Sequence, residues 1–525
     1  MTQRKTLGII ALILLFGILL RIPYLFHTMQ DIDEGSHAAV AAILMDGGLP
    51  YLNAVNNKPP GIFYVYLATF FLFGKYNMFA VHMVTFFCTL ATAIILSLLA
   101  KNMAGKSAAL FTLLFYLTFT TALYPKMLAA NTEIFMAFPY SLAVLLLYYA
   151  NVREKGYLFF VSGILSGLAL LIKQVAGIEI VAVFLYTLIV IPMLYGKKRI
   201  IPSIMAYAKY GVGFVLPIGV IAFLFYVNGI LDDAIFWSIT YPGRYVSLGS
   251  AKLGFLSQLL IEFVPFVLST IILWVLSCLW MKSVVLDFRT QKKSFASHFS
   301  LFLMLWLIAS TAATLVGNRM YGHYFIQILP ALSLIAALFA GGYFDQRGKP
   351  SRKYWEAAIL ALTAIPGVVF LGMNIFFEAT TDTWGGMRPD FRPATKYIEN
   401  NTNPGDRIFV WGWFTPIYVY SERTPSTRFV FTTMLTGYKQ GSDPNEEDRA
   451  DIAWLYVPES WPMLEEDLIH NPPELIVDTS PGNYHDFGRY PLKSYPILSS
   501  FVEKSCRLER SIAGTDIYRC RNGAK

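Results

Sequence analysis

Charge is scarce in this sequence. Asp, Glu, Lys and Arg make up 14% of its 525 residues, against about 25% in a soluble domain. That excludes a chain that faces water throughout. Cysteine is scarce too. The four Cys show no zinc-site spacing, so neither a disulfide-dense scaffold nor a Cys-based zinc module fits. The apolar run 7–20 lacks a small-residue cleavage site and is followed by Arg21, Ile22 and Pro23. A retained anchor is expected there, not a removed signal peptide. No glycine-rich nucleotide loop, internal repeat or low-complexity tract is visible.

What is abundant is apolar. Hydrophobic residues make up 55% of the chain and gather in long runs such as 7–20, 110–123, 181–194 and 357–370. A helix needs roughly 20 mostly apolar residues to cross the hydrocarbon core of a membrane. The expected spans are 7–26, 78–100, 107–123, 132–150, 157–173, 175–195, 205–228, 255–281, 298–316, 324–343 and 355–377. The sequence therefore predicts an all-α polytopic membrane protein with about eleven transmembrane helices. The net charge is +8. Its cations sit in short loops, so they read as topology signals rather than a nucleic-acid surface. With Arg4 and Lys5 inside, the basic clusters at Lys101/Lys106, Arg153/Lys155, Lys197–Arg199, Lys282–Lys293 and Arg347–Lys353 all fall inside. An odd number of spans then puts the C-terminus outside.

From about residue 381 polar residues and Pro rise, and short strand-like runs appear at 407–411, 428–432, 474–477 and 516–519, with a helical stretch at 394–399. The expected organisation is a membrane domain at 1–380 and an extracytoplasmic α/β domain at 381–525. Residues 27–77 form an outer loop with a helical stretch at 34–45 and an aromatic run at 62–73. That run is too short to cross and reads as interfacial or re-entrant. Cys506 and Cys520 flank Ala513-Gly514, a candidate hairpin turn, and would bond in an oxidising compartment. Cys88 and Cys278 fall in apolar runs.

Polar groups at membrane depth are costly and point to function. Here Asp31, Asp33, Glu34, His37, Lys58, Lys126, Glu133, Lys173, Arg244, Arg319, His323 and Tyr324 all map to outer loops or outer helix ends. Asp31-Ile32-Asp33-Glu34 opens a helix, where the dipole alone favours carboxylates. One of these acids is also placed to take a proton from a hydroxyl. His37 lies four residues after Asp33, on the same helix face. A hydrogen bond or a metal pair would both use that spacing. Lys58-Pro59-Pro60 fixes an ammonium on a stiff backbone, either to meet a lipid phosphate or to snorkel to head groups. Asn318 to Tyr324 gathers a cation, an imidazole and phenols at one helix mouth. These suit a phosphate clamp or an interfacial aromatic belt. Arg244 follows Tyr241-Pro242-Gly243.

Three strings carry a resemblance. Asp33-Glu34-Gly35, Gly48-Leu49-Pro50-Tyr51 and Asn57-Lys58-Pro59-Pro60-Gly61-Ile62-Phe63 look like the first outer loop of bacterial glycosyltransferases in the protein O-mannosyltransferase and lipid A aminoarabinose transferase superfamily. Tyr321-Gly322-His323-Tyr324-Phe325-Ile326-Gln327-Ile328-Leu329-Pro330 looks like their late outer-loop motif. The resemblance implies a GT-C fold in a bacterial inner membrane. It implies a polyprenyl-phosphate-linked sugar donor, a lipid, glycan or protein acceptor, and inversion at the anomeric carbon. By the same resemblance Asp33 is the general base and Glu34 orients it or the acceptor. Lys58 matches a basic residue near the donor phosphate, and the reading of the residues adds Arg319, His323, Tyr324 and Arg244 as candidates to hold that phosphate. Asp31 and His37 are accessory. Asp31 is extra to the family pair, and protein O-mannosyltransferases carry His where Lys58 stands, so the acceptor does not carry over from them. No cofactor is required, and a divalent metal is compatible. The partners implied are the donor, the acceptor and membrane lipids, without nucleic acid. A transporter or flippase of lipid-linked sugars is the alternative. It would show midplane charges and broken helices in paired halves. An oligosaccharide transferase acting on protein Asn is a further relative activity.

Overall fold

The structure is a computed structural model. It describes residues 3–25, 27–122, 128–190, 200–243, 255–289, 295–316, 320–345, 352–380, 390–437 and 455–520. The chain divides into two compact units. One comprises Met1–Phe26, His82–Leu224 and Leu256–Phe376; the other comprises His27–Val81, Phe225–Phe255 and Phe377–Lys525.

The first unit is helical because its apolar runs leave no other way to satisfy backbone N–H and C=O groups in lipid. Each of the eleven apolar runs is helical over most of its described length. Among the described residues six helices are long and apolar enough to cross a membrane, or up to seven if a bent pair is one span. Gly61–Phe73, Gly156–Ile172 and Ala176–Ile189 are shorter apolar helices. The protein is an integral membrane protein. The long segment Met78–Phe119 breaks at Ala104 and Gly105, whose φ is 85°, separating the two spans expected there. Two helices meet backbone to backbone through glycine. A Cβ on Gly163 would lie 2.0 Å from the Tyr210 carbonyl oxygen, and one on Gly213 would lie 2.0 Å from that of Phe160. Small residues allow such close approach in membranes.

Residues 255–281 were expected to form one span, but Phe255–Ser269 and Ile271–Asp287 are bent by 79°. The break is at Thr270 (φ −111°, ψ 18°). Its hydroxyl donates to the Phe266 carbonyl at 2.7 Å and accepts from Trp274 Nε1 at 3.1 Å. Neither Gly nor Pro marks that position.

The second unit holds a five-stranded sheet in the order β2-β1-β3-β5-β4. β1 (Arg407–Trp411) runs parallel to β2 (Thr424–Pro425) and β3 (Leu475–Asp478). β3 is antiparallel to β5 (Thr515–Cys520), which pairs with β4 (Cys506–Ile512). Helices Arg392–Asn401, Ser460–His470 and Pro496–Ser505 accompany the strands. The strand expected at 428–432 does not form. Phe429 makes a single bridge with Val55, and Arg428 is held by Asp467 at 2.7 Å. Cys506 and Cys520 face each other across β4 and β5 and are bonded. Ala513 and Gly514 turn the hairpin with φ of 53° and 71°, as a tight two-residue turn needs.

Residues 27–81 fold with this sheet. Val55 N donates to the Arg428 carbonyl at 2.7 Å, and Tyr76 OH to that of Arg423 at 2.9 Å. Thr415 Oγ1 donates to the Ile32 carbonyl at 2.9 Å.

Candidate active site

In the second unit the site grows from the start of helix Ile32–Met45. Asp31 is its N-cap and accepts from Asp33 N at 3.2 Å. Glu34 folds back, and its Oε2 accepts from Gln30 N at 2.7 Å. Both are buried, at 3% and 0% exposure, whereas the Asp33 side chain is 24% exposed. The three neighbouring acids thus differ in exposure, and Asp33 is the one whose side chain is partly exposed. Gly35 is required because a Cβ there would meet Thr415 Oγ1 at 2.6 Å.

Lys58 arrives from the next loop. Its Nζ lies 3.5 Å from Asp33 Oδ2. Asn56 Oδ1 accepts from Lys58 N at 3.1 Å, and Asn56 Nδ2 donates to Ser36 Oγ at 2.8 Å, tying the loop to the helix. Tyr51, in the left-handed region at φ 67°, donates its hydroxyl to the Lys58 carbonyl at 2.8 Å. Burial pushes the Tyr51 phenol well above its usual range, against a hydrogen bond from Ser238 that lowers it, so it stays a donor. Pro60 then starts the helix Gly61–Phe73. His37 is buried against Tyr66 at 5.5 Å and Phe63 at 6.2 Å.

The first unit carries a second polar cluster. Glu133 sits in the first turn of helix Thr132–Arg153 and is buried. Lys173 Nζ pairs with Glu133 Oε1. His323 Nε2 lies 3.8 Å from the same oxygen. Lys173 Nζ also sits 4.2 Å from the centre of the Tyr324 ring, which meets His323 edge-on at 4.8 Å. Of the donor-phosphate candidates, His323 and Tyr324 therefore share this cluster, while Lys58 belongs to the other unit. Arg244, Arg319 and Lys126 lie outside the described residues. The sequence placed Glu133 and Lys173 on the outer face but gave them no role. It passed over Glu179, a buried acid in an apolar helix whose Oε2 accepts from Trp306 Nε1 at 3.1 Å. An acid inside a predicted span was the available signal. Among the described residues no three His, Cys, Asp or Glu side chains converge as a metal site.

Residues 57–224 match the family model described as dolichyl-phosphate-mannose-protein mannosyltransferase. The crystal structure of ArnT from Cupriavidus metallidurans bound to undecaprenyl phosphate superposes with a TM-score of 0.60 at 14% identity, covering 100% of this chain and 99% of that one. The chain has the GT-C fold. The Archaeoglobus fulgidus oligosaccharyltransferase tethered to an acceptor peptide shares this GT-C fold with a TM-score of 0.54 at 12% identity, covering 99% of this chain and 74% of that one. The same enzyme in complex with Zn and sulfate gives 0.52 at 13%, covering 98% and 73%. No curated protein matches by sequence.

Proposed function

We propose that the protein is an inverting glycosyltransferase that moves a sugar from a polyprenyl-phosphate donor to an acceptor hydroxyl on the outer face of the membrane. The observation that carries this reading is the Asp33–Lys58 pair, a partly open carboxylate beside a positioned ammonium, on a GT-C fold. Asp33 takes the proton of the acceptor hydroxyl. The acceptor oxygen attacks the anomeric carbon as the bond from that carbon to the phosphate oxygen breaks. The bonding pair leaves with the polyprenyl phosphate, so the leaving group needs a cation rather than a proton. Lys58 offsets the charge that develops there. His323 and Tyr324 remain further candidates for the donor phosphate, an imidazole and a phenol beside Lys173 in their own unit. The ArnT structure was solved with undecaprenyl phosphate, which supports a lipid-phosphate donor. The basic loops favour an inside N-terminus and put the site in the outer leaflet.

A transporter or flippase reading draws on the bent pair Phe255–Ser269 and Ile271–Asp287. Such folds place broken helices in corresponding positions of two halves. Among the described residues one pair is broken in this way. Purified protein in liposomes, supplied with a radiolabelled polyprenyl-phosphate sugar, decides between the two. Release of free polyprenyl phosphate with labelled product is expected. Movement of the intact donor between leaflets, with the sugar–phosphate bond unbroken, would overturn the reading.

A further inference from the structure

Parallel strands of an open sheet bind ligands beyond their carboxyl ends. β1 and β3 are parallel neighbours, so the segments after Trp411 and Asp478 leave the sheet side by side. They are locked together there. Thr479 Oγ1 donates to the Trp411 carbonyl at 2.9 Å, and Gly412, at φ 150°, leaves no room for a Cβ against Thr479.

The second segment is strained. Asn483, His485 and Asp486 all occupy the left-handed region, at φ 51°, 54° and 63°. Non-glycine residues held in this way cost free energy and gather at ligand sites. The His485 ring packs beside Trp413 with both ring nitrogens enclosed. The half-buried His485 ring stands 5.6 Å from the half-buried indole of Trp413 and 5.4 Å from Phe414. Phe414 stacks on Tyr484 at 4.8 Å, which fixes the two segments against each other. Beside them Phe391 packs on Phe414 at 5.0 Å. Its neighbours Asp390 and Arg392 form an ion pair at 2.9 Å, with Arg392 exposed.

This cluster adjoins the proposed base. Thr415, one residue past Phe414, bonds the carbonyl of Ile32, which lies between Asp31 and Asp33. Tyr420, on the helix that follows, has its phenol pushed up to about 12 by burial; Thr28 hydrogen-bonds it, and the carboxylates of Glu34 and Asp390 both act on it. One mode of peptide binding adds a strand to a free sheet edge. Neither edge is suited to one. β2 is two residues long and contains Pro425, while β4 carries Arg507, Glu509 and Arg510 and a register shift, devices that block strand addition.

We infer that the segments following β1 and β3 form the acceptor site, and that the acceptor is a saccharide. The apolar face of a sugar ring stacks on Trp413 beside His485, and its hydroxyl edge meets Asp390 and Arg392. This rests on the glycosyltransferase reading for its use in catalysis, but sugar binding is measurable without it.

The test is saturation-transfer NMR on the full-length protein in detergent without donor, using methyl glycosides of glucose, mannose and galactose and their disaccharides. Saturable contact is expected in the wild type and in Trp413→Phe. It should fall at least tenfold in Trp413→Ala and in His485→Gly. The glycine variant accepts the left-handed turn without strain, and its melting curve checks that it folds. Absence of contact in the wild type, contact with an acceptor peptide in place of sugars, or undiminished contact in a folded His485→Gly protein would overturn the inference. Sugar binding without donor cleavage would instead sink the transferase reading and leave this site standing. Transfer with an unchanged acceptor KM in Trp413→Ala would do the reverse.

Discussion

Lys58 Nζ and Asp33 Oδ2 stand 3.5 Å apart across 25 positions of sequence, each side chain about a fifth exposed. A carboxylate held by an ammonium is a weak base. In the proposed mechanism a donor phosphate that draws Lys58 to itself would free Asp33 to take the acceptor proton. Removing the lysine should cost a charge-assisted hydrogen bond, about 1.5–3 kcal/mol, or roughly tenfold to more than hundredfold in donor affinity. We expect that loss in Lys58→Ala, measured by binding of a labelled donor. His323→Ala should lose affinity in the same assay. Wild-type donor affinity in both variants would remove them from the donor site.

The neighbouring acids should respond differently. Asp31 caps the helix, and Asn caps almost as well. Asp31→Asn should keep both transfer and melting temperature near wild type. Glu34 bonds Gln30 N while fully buried. Glu34→Ala should therefore destabilise the protein by about 1–3 kcal/mol, read as a lower melting temperature. A dead but stable Asp31→Asn enzyme would show that the wrong acid carries the proton.

Acid should stabilise one part of the sheet. Burial is the main cause that raises the Asp478 carboxyl to about 6, whereas an unfolded Asp releases its proton near about 3.9. Between those values the folded state binds more protons. The contribution is therefore complete below about pH 4 and is lost as pH rises through about 6, by about 3 kcal/mol on an order-of-magnitude basis. Thermal unfolding of the wild type and of Asp478→Asn from pH 4 to pH 7 measures it. The variant should lose this part of the pH dependence; an identical profile would exclude Asp478 as the source.

The fold was largely legible because lipid demands long apolar helices, and each such run is helical. The bend at Thr270 was not, since neither Gly nor Pro stands there and only a threonine hydroxyl, bonded to the Phe266 carbonyl and the Trp274 indole, accompanies it. The strand assigned to 428–432 failed for a tertiary reason. Asp467 accepts from both the backbone and the guanidinium of Arg428, and Val55 takes its carbonyl. At the site, Asp33 and Lys58 could be named from their motifs, but not their contact, which depends on Tyr51 and Asn56 orienting the loop. The Glu133–Lys173 pair joins residues 40 apart, and no local pattern announces it.

Sidedness is open to direct labelling. Single cysteines at the exposed positions 503 and 282 should differ in intact cells: a membrane-impermeant maleimide should label the first and spare the second. The opposite pattern would move the proposed site to the inner leaflet.

Asp33→Asn tests the central claim most directly. Asparagine keeps the size of the side chain and caps a helix nearly as well, but it cannot accept the proton. With purified protein and a labelled polyprenyl-phosphate donor, sugar transfer should fall by roughly 10²–10⁴-fold, while donor affinity and melting temperature stay near wild type. An Asp33→Asn protein that transfers sugar at the wild-type rate would contradict the account.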